Sequence, residues 1–332
     1  MHHQDAAGLI MNTDLPIPLS AIEAARDHLK GQILRTPLIR FYQEDAETEI
    51  YLKPENLQPI GSFKLRGAGN AMALASDAQL AEGVYTASAG NMAQGVAWNA
   101  RRRGIPCTVI VPDHAPRTKL DAIERLGATY IKVPFEQWWQ VVVDHHFEGM
   151  KGLFIHPVSD PAVMAGNGTI GLEILDDLPD VDAVIVPYGG GGLSTGIASA
   201  IKALKPDTKV FASEVETAAP LAASLQAGRP VGVAYTASFV DGIGSSGILA
   251  DMWPRVRAVL DGSIVVGLQQ IAEAIQLLLE RNRMLAEGAG ASALAAGLTG
   301  KSGGRKIVCV ISGGNLDLKK LQAIMDDLGM DV

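Results

Sequence analysis

A single lysine, Lys64, lies between Phe63 and Leu65 in the stretch "PIGSFKLRGAG". A lysine with apolar neighbours is usually a surface residue whose amine reaches water. At the edge of a ligand site, the same surroundings lower the pKa of the amine, so that part of it is neutral. A neutral amine can form a Schiff base with an aldehyde. Lys64 is therefore the first candidate catalytic residue, and Phe63 offers a face against which an aromatic ring can stack.

The second candidate is a run of four glycines, Gly189 to Gly192, which follows a predicted strand and precedes a helix predicted from Leu193. Glycines let successive backbone amides turn inward, and a helix N-terminus adds partial positive charge. This arrangement binds phosphate groups. It lacks the lysine and hydroxyl residue that end the phosphate loop of nucleoside-triphosphate enzymes.

The glycine run alone leaves two cofactor classes open. Gly190, Gly192 and Gly196 approximate the spacing of a nicotinamide-dinucleotide loop, and Glu214, about twenty residues on, stands where a ribose-binding acid is expected. Lys64 favours the second class, phosphate-bearing aldehydes such as pyridoxal 5′-phosphate, because an amine can form a Schiff base with the aldehyde while the loop binds the phosphate.

A third motif, "TASAGNMAQG", places Ser88, Gly90 and Asn91 between a predicted strand and a predicted helix. Backbone amides at that turn can hold a substrate carboxylate, and Asn91 can bond a ring hydroxyl. A capped helix start explains the same residues equally well.

The fourth motif is "VCVISGGN", in which a predicted strand leads to Ser312. A serine can donate to a pyridine nitrogen without forcing that nitrogen to hold a proton, whereas a carboxylate would keep it protonated. Ser312 therefore suits a reaction with a modest need for carbanion stabilisation, such as loss of a β leaving group.

The elements that must position these residues are short β-branched runs separated by Ala-rich helical patterns. This alternation predicts an α/β fold with parallel sheets flanked by helices, and ligands in such folds bind at the carboxyl ends of the strands. Residues 228–262 look irregular enough to be a loop that lines the site. The predicted strands are residues 49–53, 83–88, 107–112, 129–134, 153–157, 182–189, 209–216, 263–267 and 306–314.

Composition narrows the class of protein further. The 332 residues suit two domains or one large α/β unit, and the net charge of −8 without a basic stripe argues against a nucleic-acid partner. Cys107 and Cys309 fall in predicted core strands and are expected to be reduced thiols. The N-terminus lacks a signal-peptide pattern and no apolar run is long enough to span a membrane, so a cytoplasmic protein is expected.

Taken together and in this order, the four motifs resemble those of the fold-type II pyridoxal-phosphate enzymes, which are tryptophan synthase β-like. Within them the chain is most similar to the serine/threonine dehydratase and serine racemase group, from about Leu19 to Leu328. The resemblance implies a small domain, residues 54–158, that carries Lys64. It also implies a large domain, residues 1–53 with 159–332, that carries the glycine run. The active site would lie in the cleft between them, and the protein would be a homodimer.

The resemblance also implies a role for each candidate residue. Lys64 would hold the cofactor as a Schiff base, with Phe63 against its ring, Asn91 at its ring hydroxyl and Ser312 at its ring nitrogen. The glycine run would bind its phosphate. The substrate carboxylate would lie near Ser88, Gly90 and Gln94, with Met92 beside the substrate. These implied site residues are Phe63, Lys64, Ser88, Gly90, Asn91, Met92, Gln94, Gly189, Gly190, Gly191, Gly192 and Ser312.

Three departures from the group's pattern shape the functional prediction. Ala89 replaces the serine that serves racemases as a second base, and alanine cannot move a proton. Met92 replaces a common histidine and leaves a more apolar wall. Glu214 and the carbonyl of Ala218 match part of a metal site, but Pro220 occupies the place of its second acid.

These features predict a dehydratase that converts β-hydroxy amino acids of the L-threonine and L-serine type into a 2-oxo acid and ammonia. A bulkier substrate such as phenylserine is a second prediction, since Trp138 and Trp139 in "FEQWWQ" suit it, although packing within a helix is the favoured interpretation of these two residues. There are three competing hypotheses. The first is racemisation or β-replacement on the same scaffold, the second is oxidoreduction with a nicotinamide cofactor, and the third is a catalytically silent regulator that binds a ligand on this fold.

Overall fold

The structure is a computed structural model that describes residues 16–43 and 47–329. The predictions made from the N-terminal residues, including the missing signal-peptide pattern, fall outside these ranges. Within the described residues, no helix has both the length and the apolar character required to cross a membrane.

Strands form two separate sheets. The larger has six strands in the order β1-β2-β10-β7-β8-β9, and the smaller has four in the order β5-β4-β3-β6. The strands of the larger sheet are β1 (Ile39–Phe41), β2 (Glu49–Pro54), β7 (Ala183–Pro187), β8 (Lys209–Val215), β9 (Gly262–Val266) and β10 (Lys306–Ile311). Those of the smaller sheet are β3 (Val84–Ala87), β4 (Cys107–Pro112), β5 (Thr129–Val133) and β6 (Leu153–Phe154).

Helices fill most of the chain between the strands. A short 3-10 helix, Glu55–Leu57, lies between β2 and the segment that contains Lys64. The α-helices are α1 (Leu19–Leu29), α2 (Lys64–Leu74), α3 (Asp77–Leu80), α4 (Asn91–Arg103), α5 (Arg117–Arg125), α6 (Phe135–Asp144), α7 (Pro161–Asp177), α8 (Gly192–Leu204), α9 (Pro220–Ala227), α10 (Trp253–Val259), α11 (Leu268–Asn282), α12 (Gly288–Leu298) and α13 (Leu318–Asp327).

Alternating residues of β7 show why the larger sheet needs helices on both faces. Val184 and Val186 pack into a core with helices α1, α7, α8 and α10. Ala183 and Ile185 point the other way, into a core with α11 and α12. Successive side chains of a strand face opposite sides of a sheet, so a strand that is apolar at every position must be covered twice.

The smaller sheet follows the same rule. Val109 and Val111 of β4 pack with α2, α4 and α5 on one face. Ile110, between them, packs with Val141 and Val142 of α6 on the other. Burying each branched aliphatic side chain contributes about 1.5–3 kcal/mol, so these cores hold α2, α4 and α6 in place around the site.

All nine predicted strands are present, and the structure differs from the prediction in three details. A short strand, β1, pairs antiparallel with β2 at the edge of an otherwise parallel sheet. The strand predicted to reach residue 157 ends at Phe154, because the chain then turns around His156. The region predicted to be irregular up to residue 262 contains helix α10.

The pairing of β2 with β10 brings the two ends of the chain into one sheet. This topology agrees with a large unit built from both chain ends, and the smaller sheet spans residues 84–154. The domain boundaries at residues 54 and 158 stay a prediction. Cys107 and Cys309 are free and buried in β4 and β10, which confirms the expected core thiols.

Candidate active site

A cavity of about 410 Å³ lies where the carboxyl ends of strands from both sheets meet. Strands β3 and β7 lead directly into segments of its wall, and β10 delivers Ser312 to it. The predicted site residues that line the cavity are Phe63, Lys64, Ser88, Gly90, Asn91, Met92, Gly189, Gly190, Gly191, Gly192 and Ser312. Gln94 is the exception, since it lies inside α4 and does not line the cavity.

Lys64 is the first residue of α2, and its local geometry is set by the turn before it. Gly61 has φ +70°, a conformation that favours glycine, and the backbone N–H of Phe63 donates to the carbonyl of Ser312 over 3.0 Å. The segment before Lys64 is thereby fixed to the segment that follows β10. On the other side of Lys64, Gly95 lets α4 pack closely against α2. A Cβ on Gly95 would lie only 2.9 Å from the carbonyl oxygen of Lys64.

The amine of Lys64 is held in an environment that favours its neutral form. Its Nζ donates to the carbonyl of Pro157 over 2.9 Å and lies 5.0 Å from the centroid of the Phe63 ring. Burial lowers the pKa of Lys64 to about 8, while the charge of Glu287 acts in the opposite direction. A substantial fraction of the amine is therefore neutral near physiological pH, as a nucleophile or general base requires.

The glycine run forms a tight loop whose shape excludes side chains at Gly190, Gly191 and Gly192. Gly191 has φ +95°, and α8 begins at Gly192. A Cβ on Gly190 would lie 2.5 Å from the Val158 side chain, and one on Gly192 would lie 2.4 Å from the Val158 carbonyl oxygen. The backbone can thus approach a ligand closely at a helix N-terminus, which favours an anion such as a phosphate.

Asn91 and Ser312 lie at the cavity, and Asn91 has partners of its own. Asn91 Nδ2 donates to Glu287 Oε1 over 2.7 Å, and Asn91 Oδ1 accepts from Asn315 Nδ2 over 2.8 Å. Ser312 is 4% exposed. Ser88 Oγ accepts from the backbone N–H of Gly90 over 3.1 Å, which shapes the turn before α4.

Glu287 is a site residue that the sequence analysis missed. It lines the cavity just before α12, is 6% exposed, and its backbone N–H donates to the carbonyl of Gly313. Burial raises its pKa to about 7, although the hydrogen bond from Asn91 acts to lower it. The available signal was a lone acid among small residues in "MLAEGAGASALAAG", which is also typical of an ordinary helix start.

Aromatic side chains of α6 form another part of the wall. Phe135, Trp138 and Trp139 all line the cavity. The sequence favours packing within the helix for the two tryptophans. In the structure they also line the cavity. Trp138 Nε1 is buried, and no hydrogen-bond partner for it lies among the described residues. Ala89 and Met92 also line the cavity.

The Glu214 carboxylate lies outside the cavity, and both of its oxygens already accept hydrogen bonds. It accepts from the backbone N–H groups of Leu221 and Ala222 and from the hydroxyl of Ser263. This contradicts the dinucleotide hypothesis, in which Glu214 would bind a ribose. The described residues also contain no cluster of three or more His, Cys, Asp or Glu side chains placed to hold a metal ion. The possible metal site at Glu214 and Ala218 consists of one acid and a backbone carbonyl, so it is not a cluster of this kind and stays a prediction.

Residues 29–313 match the profile of the family described as pyridoxal-phosphate dependent enzyme. The chain belongs to this family. The site residues fit its cofactor: the glycine loop packs too closely against Val158 for a side chain at Gly190 or Gly192, so backbone lines the cavity there, and Lys64, whose amine has a pKa of about 8, lines the same cavity. Lys64 and the loop are distant along the chain, and the cavity is where they meet.

Relatives of the chain in the pyridoxal-phosphate family resemble it over nearly its whole length. An L-threonine ammonia-lyase of Geobacter sulfurreducens is 42% identical over 318 residues, which are 93% of this chain and 78% of that protein. The catabolic L-threonine dehydratase of Escherichia coli (strain K12) is 39% identical over 94% of this chain and 97% of its own. The structure of maize serine racemase has a TM-score of 0.87 at 32% identity, covering 95% of this chain and 99% of that chain.

Proposed function

We propose that this pyridoxal-phosphate enzyme is an ammonia-lyase that converts L-threonine, and L-serine as a smaller substrate, into a 2-oxo acid and ammonia. The observation that carries the proposal is the Lys64 amine, whose pKa burial lowers to about 8, in one cavity with the glycine loop. The relatives that share about two fifths of its residues support the same substrate class, since they are named threonine ammonia-lyase and threonine dehydratase.

Different residues of the cavity bind different groups of the cofactor and the substrate. The backbone amides of Gly189 to Gly192 would hold the cofactor phosphate, Phe63 would pack beside its ring, and the Ser312 hydroxyl would donate to the ring nitrogen. Asn91 would orient the ring hydroxyl, and the N-terminus of α4 near Ser88 and Gly90 would receive the substrate carboxylate. These assignments rest on the position of each residue at the cavity wall.

Lys64 moves the proton that starts the reaction. Its neutral amine takes the α-proton of the substrate as a general base. When bound, pyridoxal phosphate supplies an electron sink for the charge left on the α-carbon. The β-hydroxyl then departs as water after taking up one proton, which balances the α-proton that Lys64 removed. The released enamine tautomerises to an imine, which water hydrolyses to the 2-oxo acid and ammonia.

Racemisation needs a proton donor on the other face of the substrate. In the chain that position is Ala89, which lines the cavity and has no titratable group. Elimination is therefore favoured over racemisation, even though the fold is similar to that of maize serine racemase.

A bulkier aromatic substrate is the second candidate, because Phe135, Trp138 and Trp139 line the cavity. These rings, together with the apolar Met92, can pack against a phenyl group on the β-carbon. Phenylserine is the simplest β-hydroxy amino acid with such a group.

A substrate panel decides between these candidates. Purified protein reconstituted with pyridoxal phosphate is assayed for 2-oxo acid and ammonia with L-threonine, L-serine and the phenylserines, and the remaining substrate is analysed for D-enantiomer. The proposal expects equal amounts of 2-oxo acid and ammonia and little D-enantiomer. Accumulation of D-amino acid without ammonia would establish a racemase instead, and exclusive activity on L-serine would remove the aromatic candidate.

The proposal extends to assembly and location. The family resemblance implies a homodimer, and exposed apolar side chains such as Tyr42 and Leu318 are available for a contact between subunits. The cytoplasmic location rests on the sequence, which lacks a signal-peptide pattern. Light scattering of the purified protein gives the mass directly, and a monomer at micromolar concentration would contradict the dimer.

A further inference from the structure

His156 lies just outside the cavity and uses both of its ring nitrogens within the protein. Its side chain is buried, at 2% exposure, in the turn that follows β6. Nδ1 lies 3.0 Å from the backbone nitrogen of Val158 and 2.7 Å from that of Ser159. Nε2 lies 2.9 Å from the carbonyl oxygen of Val142 in α6.

These partners define one form of the ring. Both backbone N–H groups are donors, so Nδ1 must be an acceptor without a proton. The Val142 carbonyl is an acceptor, so Nε2 carries the proton. The ring is therefore neutral, and burial, together with the nearby charges of His145 and Lys64, agrees with this because it lowers the pKa of His156 to about 3.

The turn that His156 holds touches two parts of the site. The Pro157 carbonyl accepts the hydrogen bond from Lys64 Nζ. Val158 packs directly beneath the glycine loop, at the distances that exclude a Cβ from Gly190 and Gly192. Through Val142, the same ring is tied to α6, the helix that carries Trp138 and Trp139.

We propose that His156 is a positioning residue of this active site: by accepting from the backbone of Val158 and Ser159, its ring fixes the turn that orients Lys64 and supports the glycine loop. A histidine that only filled space in the core would have no need to bond two successive amides of the turn. The orientation of the amine and the shape of the loop thus depend on one buried ring that touches neither substrate nor cofactor. This inference rests on the proposed roles of Lys64 and the glycine loop.

Two substitutions separate the functions of the two ring nitrogens. In His156→Asn, the side-chain oxygen takes the place of Nδ1 and can still accept from the turn, but the bond to Val142 is lost. In His156→Gln, the terminal amide takes the place of Nε2 and can still donate to Val142, but the acceptor for the turn is lost. His146→Gln, at an exposed neighbouring position, is the matched control.

The test measures the affinity of each apoprotein for pyridoxal phosphate and, separately, for inorganic phosphate, along with hydrogen exchange of the Val158 and Ser159 amides. Losing two hydrogen bonds in His156→Gln is expected to weaken cofactor binding about tenfold or more and to speed exchange of both amides. His156→Asn and His146→Gln are expected to stay within about twofold of the unsubstituted protein, because the turn keeps its acceptor.

Equal losses in His156→Asn and His156→Gln would overturn the proposal, because they would indicate a role in core packing only. Unchanged binding in a folded His156→Gln variant would overturn it as well. If His156→Gln does not fold, His156→Asn decides: affinity near that of the unsubstituted protein supports the proposal, and a tenfold loss contradicts it. Failure of the unsubstituted protein to bind pyridoxal phosphate would instead refute the proposed function, while amide exchange would still report on the turn.

Discussion

Asn91 and Glu287 join two sides of the candidate active site: Asn91 Nδ2, at the start of α4, donates to Glu287 Oε1, just before α12, over 2.7 Å. Helix α4 packs on the smaller sheet and α12 on the larger, so this hydrogen bond crosses the cavity between them. Asn315 extends it, donating to Asn91 and to the carbonyl of Ile60 from the same amide. Asn91 is thereby oriented before any ligand binds, which lowers the entropic cost of binding.

Replacing Glu287 with glutamine is expected to change how stability depends on pH. Burial raises the pKa of Glu287 from 4.5 to about 7. The folded protein therefore binds more protons than the unfolded chain between these values, and the free energy of unfolding falls as pH rises through that window. Protonated Glu287 stabilises the folded protein in full below pH 4.5. This contribution to the free energy of unfolding, up to about 3 kcal/mol, is lost above pH 7.

Urea unfolding of apoprotein from about pH 5 to about pH 8 measures this difference. Glu287→Gln keeps an acceptor for Asn91 but has no titratable group, so its midpoint is expected to change less over the range. Glu280→Gln, at an exposed position of α11, should follow the unsubstituted protein. Parallel profiles for Glu287→Gln and the unsubstituted protein would contradict the assignment.

The reactivity of Lys64 should report its lowered pKa directly. In apoprotein, acylation of an amine follows its neutral fraction, so labelling of Lys64 is expected to be half-maximal near pH 8 rather than near its ordinary value of 10.5. Peptide mass spectrometry after brief labelling over a pH series measures this, with the exposed Lys132 as an internal comparison. Identical labelling profiles for the two lysines would show that burial does not lower the pKa of Lys64.

A methyl group in the glycine loop should damage both stability and cofactor binding. In Gly192→Ala the new Cβ would lie 2.4 Å from the Val158 carbonyl oxygen, so the backbone must shift. We expect a loss of about 1–3 kcal/mol in the free energy of unfolding and weaker binding of pyridoxal phosphate. Gly247→Ala is the control, because this glycine also lines the cavity but has no atom within 4 Å of a new Cβ. Equal behaviour of the two variants would argue against the tight cradle.

Shortening Trp139 tests whether α6 selects the substrate. Trp139 is 41% exposed and lines the cavity. If the aromatic candidate holds, Trp139→Ala should lower kcat/KM for phenylserine about 10-fold or more relative to L-threonine. Trp98 packs against Arg102 and does not line the cavity, so Trp98→Ala should affect both substrates alike. A Trp139→Ala variant with an unchanged ratio would assign the tryptophan to packing.

The features best predicted from the sequence are those that a few consecutive residues determine. The apolar runs that lead into Ala87, Pro187 and Ile311 predicted strands because each residue is buried on one face or the other. The glycine run and Lys64 were recognisable because few other functions need those residue types in that setting. Each of these signals is contained within a few consecutive residues, so it can be recognised without knowing the tertiary contacts.

Features that depend on distant partners were not predictable in the same way. β1 has only three residues, too few for a periodic pattern, and forms because β2 offers a free edge. β6 ends early because His156 binds the amides of the next turn. Glu287 was missed because its raised pKa arises from burial and from the charge of Asp241, both supplied by other parts of the fold.

The most direct test of the central claim is the rate of 2-oxobutyrate formation from L-threonine by Lys64→Ala and by Lys132→Ala, each reconstituted with pyridoxal phosphate. Lys132 is exposed on β5, does not line the cavity, and serves as the matched control. Loss of the general base predicts a fall of at least about 100-fold for Lys64→Ala and an unchanged rate for Lys132→Ala. Turnover by Lys64→Ala at the rate of the unsubstituted protein would contradict the account.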